Sequence, residues 1–227
     1  MAELAVAPSV QRHLRRCLSQ QDLEQALAIP QARIRDRFRA RRAWLRWLLA
    51  AYIDVEPRSL VFALGTRGKP HLMGTRTLGL QFNVAHSGDL MVLAVANDVN
   101  VGVDLEQVQA GFPVGDVAHR FFADTECRLL AGTGELERPS AFFRIWTRKE
   151  AYLKGLGLGI DDQGLRHTVV AVGPDRLGGT QTVGWAGHPN WCSRDVAVAV
   201  GYVAAVAVPS SDVQVPARAH PISDLWR

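Results

Sequence analysis

Lysine is almost missing from this chain. Of the 26 lysines and arginines in 227 residues, three are lysine: Lys69, Lys149 and Lys154. Arginine serves wherever a generic surface cation would do. The rare lysine then marks a position suited to a compact charge with a movable pKa. Cysteine is scarce too. Cys17, Cys127 and Cys192 are odd in number and far apart, with no paired metal spacing, which suits free thiols in a reducing cytoplasm. No apolar run reaches 18 residues, so no membrane span is expected. The N-terminus lacks the charged and long apolar regions of a secretory signal. What remains is 48% apolar, with mean hydropathy near zero and a formal net charge of +4. That composition predicts a soluble globular protein of one domain, or two small ones sharing a core. The positive balance suits an anionic ligand or an acidic partner.

Along the chain, Ala2–Ala7 reads as a short opening strand and residues 10–29 as one or two short helices. Ser19 is a candidate N-cap, with Asp22 three residues later. Pro30 fits the first turn of a longer helix reaching about Ile53. Arg33, Arg35, Arg37, Arg39, Arg41, Arg42 and Arg46 crowd this helix. They form either a solvated basic face or a surface for phosphate or an acidic partner. Aromatic residues are not interleaved with them as a nucleic-acid platform requires, so no nucleic-acid partner is expected.

Ser59–Leu64 reads as a strand and Gly65–Pro70 as a turn. Leu80–Val84, Leu90–Ala96 and Val101–Leu105 follow as an antiparallel meander. Residues 113–131 look helical in two pieces, and Pro139-Ser140 open another helix. Residues 165–172, 180–186 and 195–207 read as strands of a second sheet, with an extended tail after Pro209. The order of elements suggests an α+β fold of two similar halves, although no internal sequence repeat supports the duplication.

Four short patterns can carry chemistry. Gly102-Val103-Asp104-Leu105-Glu106 places two carboxylates on one face of a strand. They fit either a polar sheet edge or a divalent cation with oxygen ligands. Trp146, Lys149, Glu150 and Lys154 recur at helical spacings of three and four, ahead of Gly155, Gly157 and Gly159. Spacing alone allows a solvated face with a Glu150–Lys154 ion pair. The scarcity of lysine favours chemistry, and Glu150 can serve as a third carboxylate beside Asp104 and Glu106. His86, in Phe82-Asn83-Val84-Ala85-His86-Ser87, ends a strand, where it is either a satisfied core imidazole or a donor to phosphate. Gly68-Lys69-Pro70 completes the set.

In this order, from Gly68 to Gly159, the set resembles the 4′-phosphopantetheinyl transferase superfamily, and the chain length resembles its single-chain Sfp-type branch. The resemblance implies an α+β fold of two pseudo-symmetric halves, with residues 1–102, 103–208 and a tail from 209 to 227. It implies transfer of the phosphopantetheine arm of coenzyme A to a serine of an apo acyl- or peptidyl-carrier protein, releasing adenosine 3′,5′-bisphosphate. Asp104, Glu106 and Glu150 would hold Mg²⁺ or Mn²⁺. Glu150, directly or through a water, would be the base for the serine, and Lys154 would stabilise or protonate the leaving phosphate. Lys69 and Pro70 would flank the adenine. His86, Lys149 and an arginine of the long helix, Arg42 being the candidate, would meet phosphates of coenzyme A. Trp146 would pack. A cytoplasmic monomer would suffice, and the arginine-rich helix would steer an acidic carrier.

Ala85 departs from the pattern, because members of this branch often have serine before the histidine. The lost hydrogen bond would cost about 0.5–1.5 kcal/mol of coenzyme A affinity. The same residues leave two other functions open: a Mg²⁺-dependent phosphoester or nucleotide hydrolase, and a non-enzymatic basic binding module.

Overall fold

The computed structural model describes residues 15–74, 79–170, 180–188 and 191–209. The expected opening strand at Ala2–Ala7 and the tail beyond Pro209 lie outside the described residues.

The first layer is helical. Helix α1 (Gln20–Leu27) starts at Ser19, whose hydroxyl accepts from the Asp22 amide while Asp22 reaches back to the Ser19 amide. This reciprocal cap satisfies two of the free N–H groups of the first turn. Helix α2 (Ala32–Ile53) begins two residues after Pro30 and ends on Asp54 in the left-handed conformation, φ 54°. Its buried stripe of Ala40, Ala43, Trp44, Leu48 and Leu49 packs on Leu60, Leu72, Phe82 and Met91 to form one core. The spacing of that stripe is the amphipathic signature.

Not every arginine of α2 is a surface charge. Arg46 is 1% exposed, and its guanidinium is used on all sides. It donates to Asp22, to the carbonyls of Leu60 (2.7 Å) and Pro57 (3.1 Å), and to the Ser19 hydroxyl (2.8 Å). Burial pushes the Asp22 carboxyl up, but the Ser19 and Arg42 hydrogen bonds and the charges of Arg42 and Arg46 outweigh it, so its pKa is lowered. A depressed folded-state pKa gives stability that is complete above the ordinary aspartate value and fades as pH falls through the folded one. Denaturant midpoints should therefore drop as pH falls below the ordinary aspartate value, and Asp22→Asn should flatten that acid limb. An unchanged limb in the variant would remove the assignment.

A 3₁₀ turn at Pro57–Ser59 delays the next strand to β1 (Val61–Leu64), which pairs with β2 (Pro70–Met73), a strand hidden in the sequence by its turn residues. Strands β3 (Leu80–Ser87) and β4 (Leu90–Asn97) make a hairpin with Gly88-Asp89 at its tip. The expected meander ends there. Strand β5 (Gly102–Gln107) pairs with β9 (Tyr202–Val208), not with β4. It is tied to β3 by a side chain instead, the Asn83 carbonyl oxygen accepting from the Val103 amide at 2.8 Å.

Helices α3 (Val114–Phe121) and α4 (Asp124–Gly132) lead to α5 (Arg138–Leu156), which starts with Pro139 in its first turn. Gly157, at φ 71°, stops α5 as the glycine run predicts. Of the strand expected over 165–172, residues 171–172 lie outside the described residues, and residues 165–167 are helical instead. Asp161 caps the Gly164 amide at 2.7 Å and starts helix α6 (Asp162–His167), leaving only Val169–Val170 for β6. The local cap outweighs the apolar run. Strand β7 is Thr180–Gly184 and β8 is Trp191–Asp195. The expected strand over 195–207 is divided, because a turn closed by the Tyr202 amide on Ala199 separates β8 from β9. The second sheet runs β5-β9-β8-β7-β6, antiparallel throughout.

The fold is mixed α+β. Helix α5 lies on the second sheet, and their shared core includes Phe142, Ile145, Tyr152, Leu153, Val183 and Trp191. Helix and strand meet at Gly102 and Gly155. A Cβ on Gly102 would overlap the Ala151 carbonyl and lie 2.5 Å from the Gly155 amide nitrogen. A Cβ on Gly155 would run into the Trp191 ring. Among the described residues no helix is long and apolar enough to cross a membrane.

Candidate active site

The close approach at Gly102 brings the carboxylates of β5 under the last turns of α5. Val103 and Leu105 turn to one side of β5 and are buried in an apolar cluster with Ala85, Leu90 and Ala204. Asp104 and Glu106 turn to the other. Each can offer an oxygen to a common point with Glu150 of α5, and the three oxygens lie within 4.8 Å of one another. Asp104 is 2% exposed and Glu150 8%, so this is no solvated sheet edge. Lys154, one turn beyond Glu150, bonds Asp104 and reaches Glu150 Oε2 at 3.1 Å.

One ammonium against three carboxylates leaves the cluster short of positive charge. Two ionised carboxylates at this separation repel by about 3.5 kcal/mol at an effective dielectric of about 20. Burial first, then the charge of Glu150, pushes the Asp104 carboxyl up to about 8, against the pull of Lys154. Burial also raises Glu106, against the hydrogen bond from Ser87. Burial tends to lower Lys154, but the charges of Asp104 and Glu150 reverse the sign and raise it. One atom is unprovided for: Asp104 Oδ2 is buried with no hydrogen-bond partner. A buried acceptor without a donor is costly. An oxygen-only ligand set with a spare buried lone pair fits a hard divalent cation.

The other expected site residues fall in several places. His86 is exposed at the end of β3. Partial desolvation, then the charge of Arg41, keeps its imidazole below the ordinary value, and Lys154 adds to this. The helix arginine that bears on His86 is thus Arg41. Arg42 is tied to Asp22 at 2.6 Å and lies over the Phe62 ring at 4.8 Å. The two sit about 100° apart on the helix, and an arginine run gives no sign of which one faces the strands.

Lys69 Nζ donates to the carbonyls of Val101 and Gly155, both at 3.1 Å. With Pro70, Phe82, Gly155 and Gly157 it lines a cleft of about 230 Å³. Arg67 bonds the Leu158 carbonyl, so the loop before β2 is latched to the end of α5. The Ala85 methyl is buried against Leu90, Val103 and Leu105, on the apolar side of its strand.

Lys149 does not join the carboxylates. It is 0% exposed and bonds Glu126 at 2.6 Å and the Leu165 carbonyl at 2.9 Å, 4.7 Å above the Phe122 ring. Trp146 stacks on Phe142 nearby at 5.7 Å, packing as expected. The stripe of four residues is wider than one contact: its Trp146 and Lys149 edge enters the core, and its Glu150 and Lys154 edge enters the site. Sequence reasoning missed Glu126. Its signal was the Ala-Asp-Thr-Glu start of α4, where Glu126 also accepts the Ala123 amide at 2.8 Å.

The superfamily whose profile is described as "4′-phosphopantetheinyl transferase superfamily" matches residues 100–207, the stretch that holds all three carboxylates. The 4′-phosphopantetheinyl transferase HetI of Nostoc sp. is 38% identical over 77% of this chain and 71% of its own length. The 4′-phosphopantetheinyl transferase of Bacillus subtilis is 29% identical over 51% of this chain and 50% of its own. AcpT of Salmonella typhimurium, of the same named activity, is 32% identical over 52% and 59%. This chain thus spans between half and about seven-tenths of the length of these relatives. With a carboxylate cluster suited to a cation in the matched stretch and a relative of this identity over most of its length, the chain belongs to the 4′-phosphopantetheinyl transferase superfamily.

Proposed function

We propose that the protein moves the 4′-phosphopantetheine arm of coenzyme A onto a serine hydroxyl of an apo acyl- or peptidyl-carrier protein. The observation that carries this reading is the buried, unpartnered Asp104 Oδ2 between two further carboxylates and one lysine. Asp104, Glu106 and Glu150 would hold Mg²⁺, or Mn²⁺, which when bound neutralises pyrophosphate charge and fixes its geometry.

The chain's own groups do the rest. Glu150 accepts the proton of the carrier serine, directly or through a water, as Oγ bonds to the attacked phosphorus. The pyrophosphate P–O bond breaks and its electron pair leaves with adenosine 3′,5′-bisphosphate. Lys154 meets the charge on that leaving phosphate. The Lys69–Pro70 cleft receives the adenine, and His86 with Arg41 faces the remaining phosphate charge. The reading treats the chain as two related halves. Helix α2 on β1–β4 and helix α5 on the second sheet would meet at the Gly102 seam. The free thiols of Cys17, Cys127 and Cys192 suit the reducing cytoplasm in which we place the enzyme, as a monomer.

The test is the intact mass of apo carrier proteins of several classes, incubated with this protein, coenzyme A and Mg²⁺. The expected result is a gain of one phosphopantetheine arm, lost when a chelator is added. Cleavage of coenzyme A with every carrier unchanged would overturn the reading in favour of a hydrolase.

A further inference from the structure

The tip of the β3–β4 hairpin touches the metal-binding strand at one polar group, the hydroxyl of Ser87. Ser87 Oγ donates to Glu106 Oε2 at 2.8 Å and accepts from the Gln107 amide at 3.0 Å. The second bond matters to the first. With an amide hydrogen on one lone pair, the hydroxyl rotor loses freedom, and its own hydrogen is directed to the carboxylate.

The hairpin tip is itself held. Gly88 sits at φ 55°, and a Cβ there would lie 2.5 Å from the Tyr202 hydroxyl and 2.7 Å from the Gln107 side-chain oxygen. A side chain there would be strained by the backbone conformation and would push these two side-chain ends aside. The Asp89 amide donates to the Tyr202 hydroxyl at 3.4 Å, and the Asp89 carboxylate pairs with Arg37 of α2. Ser87 therefore stands on a turn anchored to β9 on one side and to α2 on the other.

Glu106 needs such a hold. It is the more exposed of the two β5 carboxylates, near the end of its strand. Asp104 is fixed by Lys154 and by burial, and Glu150 by a buried helix; Glu106 has Ser87. We infer that Ser87 is a positioning residue, which occupies one oxygen of Glu106 and leaves the other to serve as a single-oxygen ligand for the divalent cation. The inference rests on the cation-binding reading above. An outer hydrogen bond of this kind typically contributes 10- to 100-fold in metal affinity.

The experiment measures metal binding without coenzyme A or carrier. Mn²⁺ is titrated into the full chain and free Mn²⁺ is followed by electron paramagnetic resonance, for the wild type, Ser87→Ala and Ser87→Thr. The expected result is a dissociation constant raised about tenfold or more in Ser87→Ala and restored to within about threefold by Ser87→Thr. In turnover, the Mg²⁺ concentration for half-maximal rate should rise likewise, with the rate at saturating Mg²⁺ little changed. Equal Mn²⁺ affinity in wild type and Ser87→Ala would overturn the role of Ser87 alone. So would a Ser87→Thr that binds as weakly as Ser87→Ala while matching the wild type in melting temperature. A wild type that binds no Mn²⁺ would overturn the cation reading itself.

Discussion

Replacing Glu150 by glutamine is expected to cut arm transfer by about 10³-fold or more while leaving the protein at least as stable. The two effects have separate causes. General-base catalysis is worth typically 10²- to 10⁴-fold, and the same change removes one of three candidate metal ligands. The fold loses little, because glutamine has nearly the same shape and the side chain keeps its place on α5. Without a cation, one carboxylate fewer also relieves repulsion within the cluster, which adds to burial in pushing Asp104 up to about 8. Single-turnover transfer to an apo carrier and a melting curve of the metal-free protein measure the two halves. A rate within tenfold of the wild type would remove Glu150 from the mechanism. A large fall in melting temperature would mean that its role is structural.

Lys149→Ala should do the reverse, costing about 3–5 kcal/mol of stability. Glu126 is 0% exposed, and Lys149 is its counter-charge. Removing the ammonium leaves a buried carboxylate whose remaining partners are the amides of Ala123 and Val170. The Leu165 carbonyl loses a donor as well. The double variant Lys149→Met/Glu126→Gln should recover part of the loss, since it removes both charges and keeps the volume, while its new NH₂ group must face the Ala123 or the Val170 amide. Urea unfolding of the three proteins gives the comparison. If Lys149 instead served coenzyme A directly, its alanine variant would bind coenzyme A weakly and unfold at the wild-type midpoint.

Lys149 also marks where the sequence stops being legible. Helical spacing puts it beside Glu150 and Lys154, but a stripe built from steps of three and four covers a wide arc. Which edge of the arc meets the core depends on Glu126 and Phe122, more than 20 residues away. Arg41 and Arg42 pose the same problem, because a dense arginine run has no internal phase. The carboxylates were easier. Asp104 and Glu106 follow the period of two that any strand imposes, and the glycine run states where α5 must stop. The α+β class came from the order of elements. The pairing of β5 with β9 did not, since about 100 residues separate the partners and nothing near β5 specifies them. Helix α6 was legible in principle, in the cap formed by Asp161, but an apolar run hid it.

The meeting of Gly102 with Gly155 bears on what the site can measure. Asp104 stands two residues after one glycine, and Lys154 and Glu150 stand one and five residues before the other. The two segments touch backbone to backbone, with no side chain as a cushion. The spacing of β5 from α5 is therefore a dimension of the main chain, which cannot relax by changing rotamer. Mg²⁺ and Ca²⁺ differ in oxygen distance by only about 0.3–0.5 Å. A side-chain spacer would blur a difference that small. A cation between these carboxylates would instead meet a strand-to-helix spacing fixed by two glycines, and exchanging the ligands alone would not reset it.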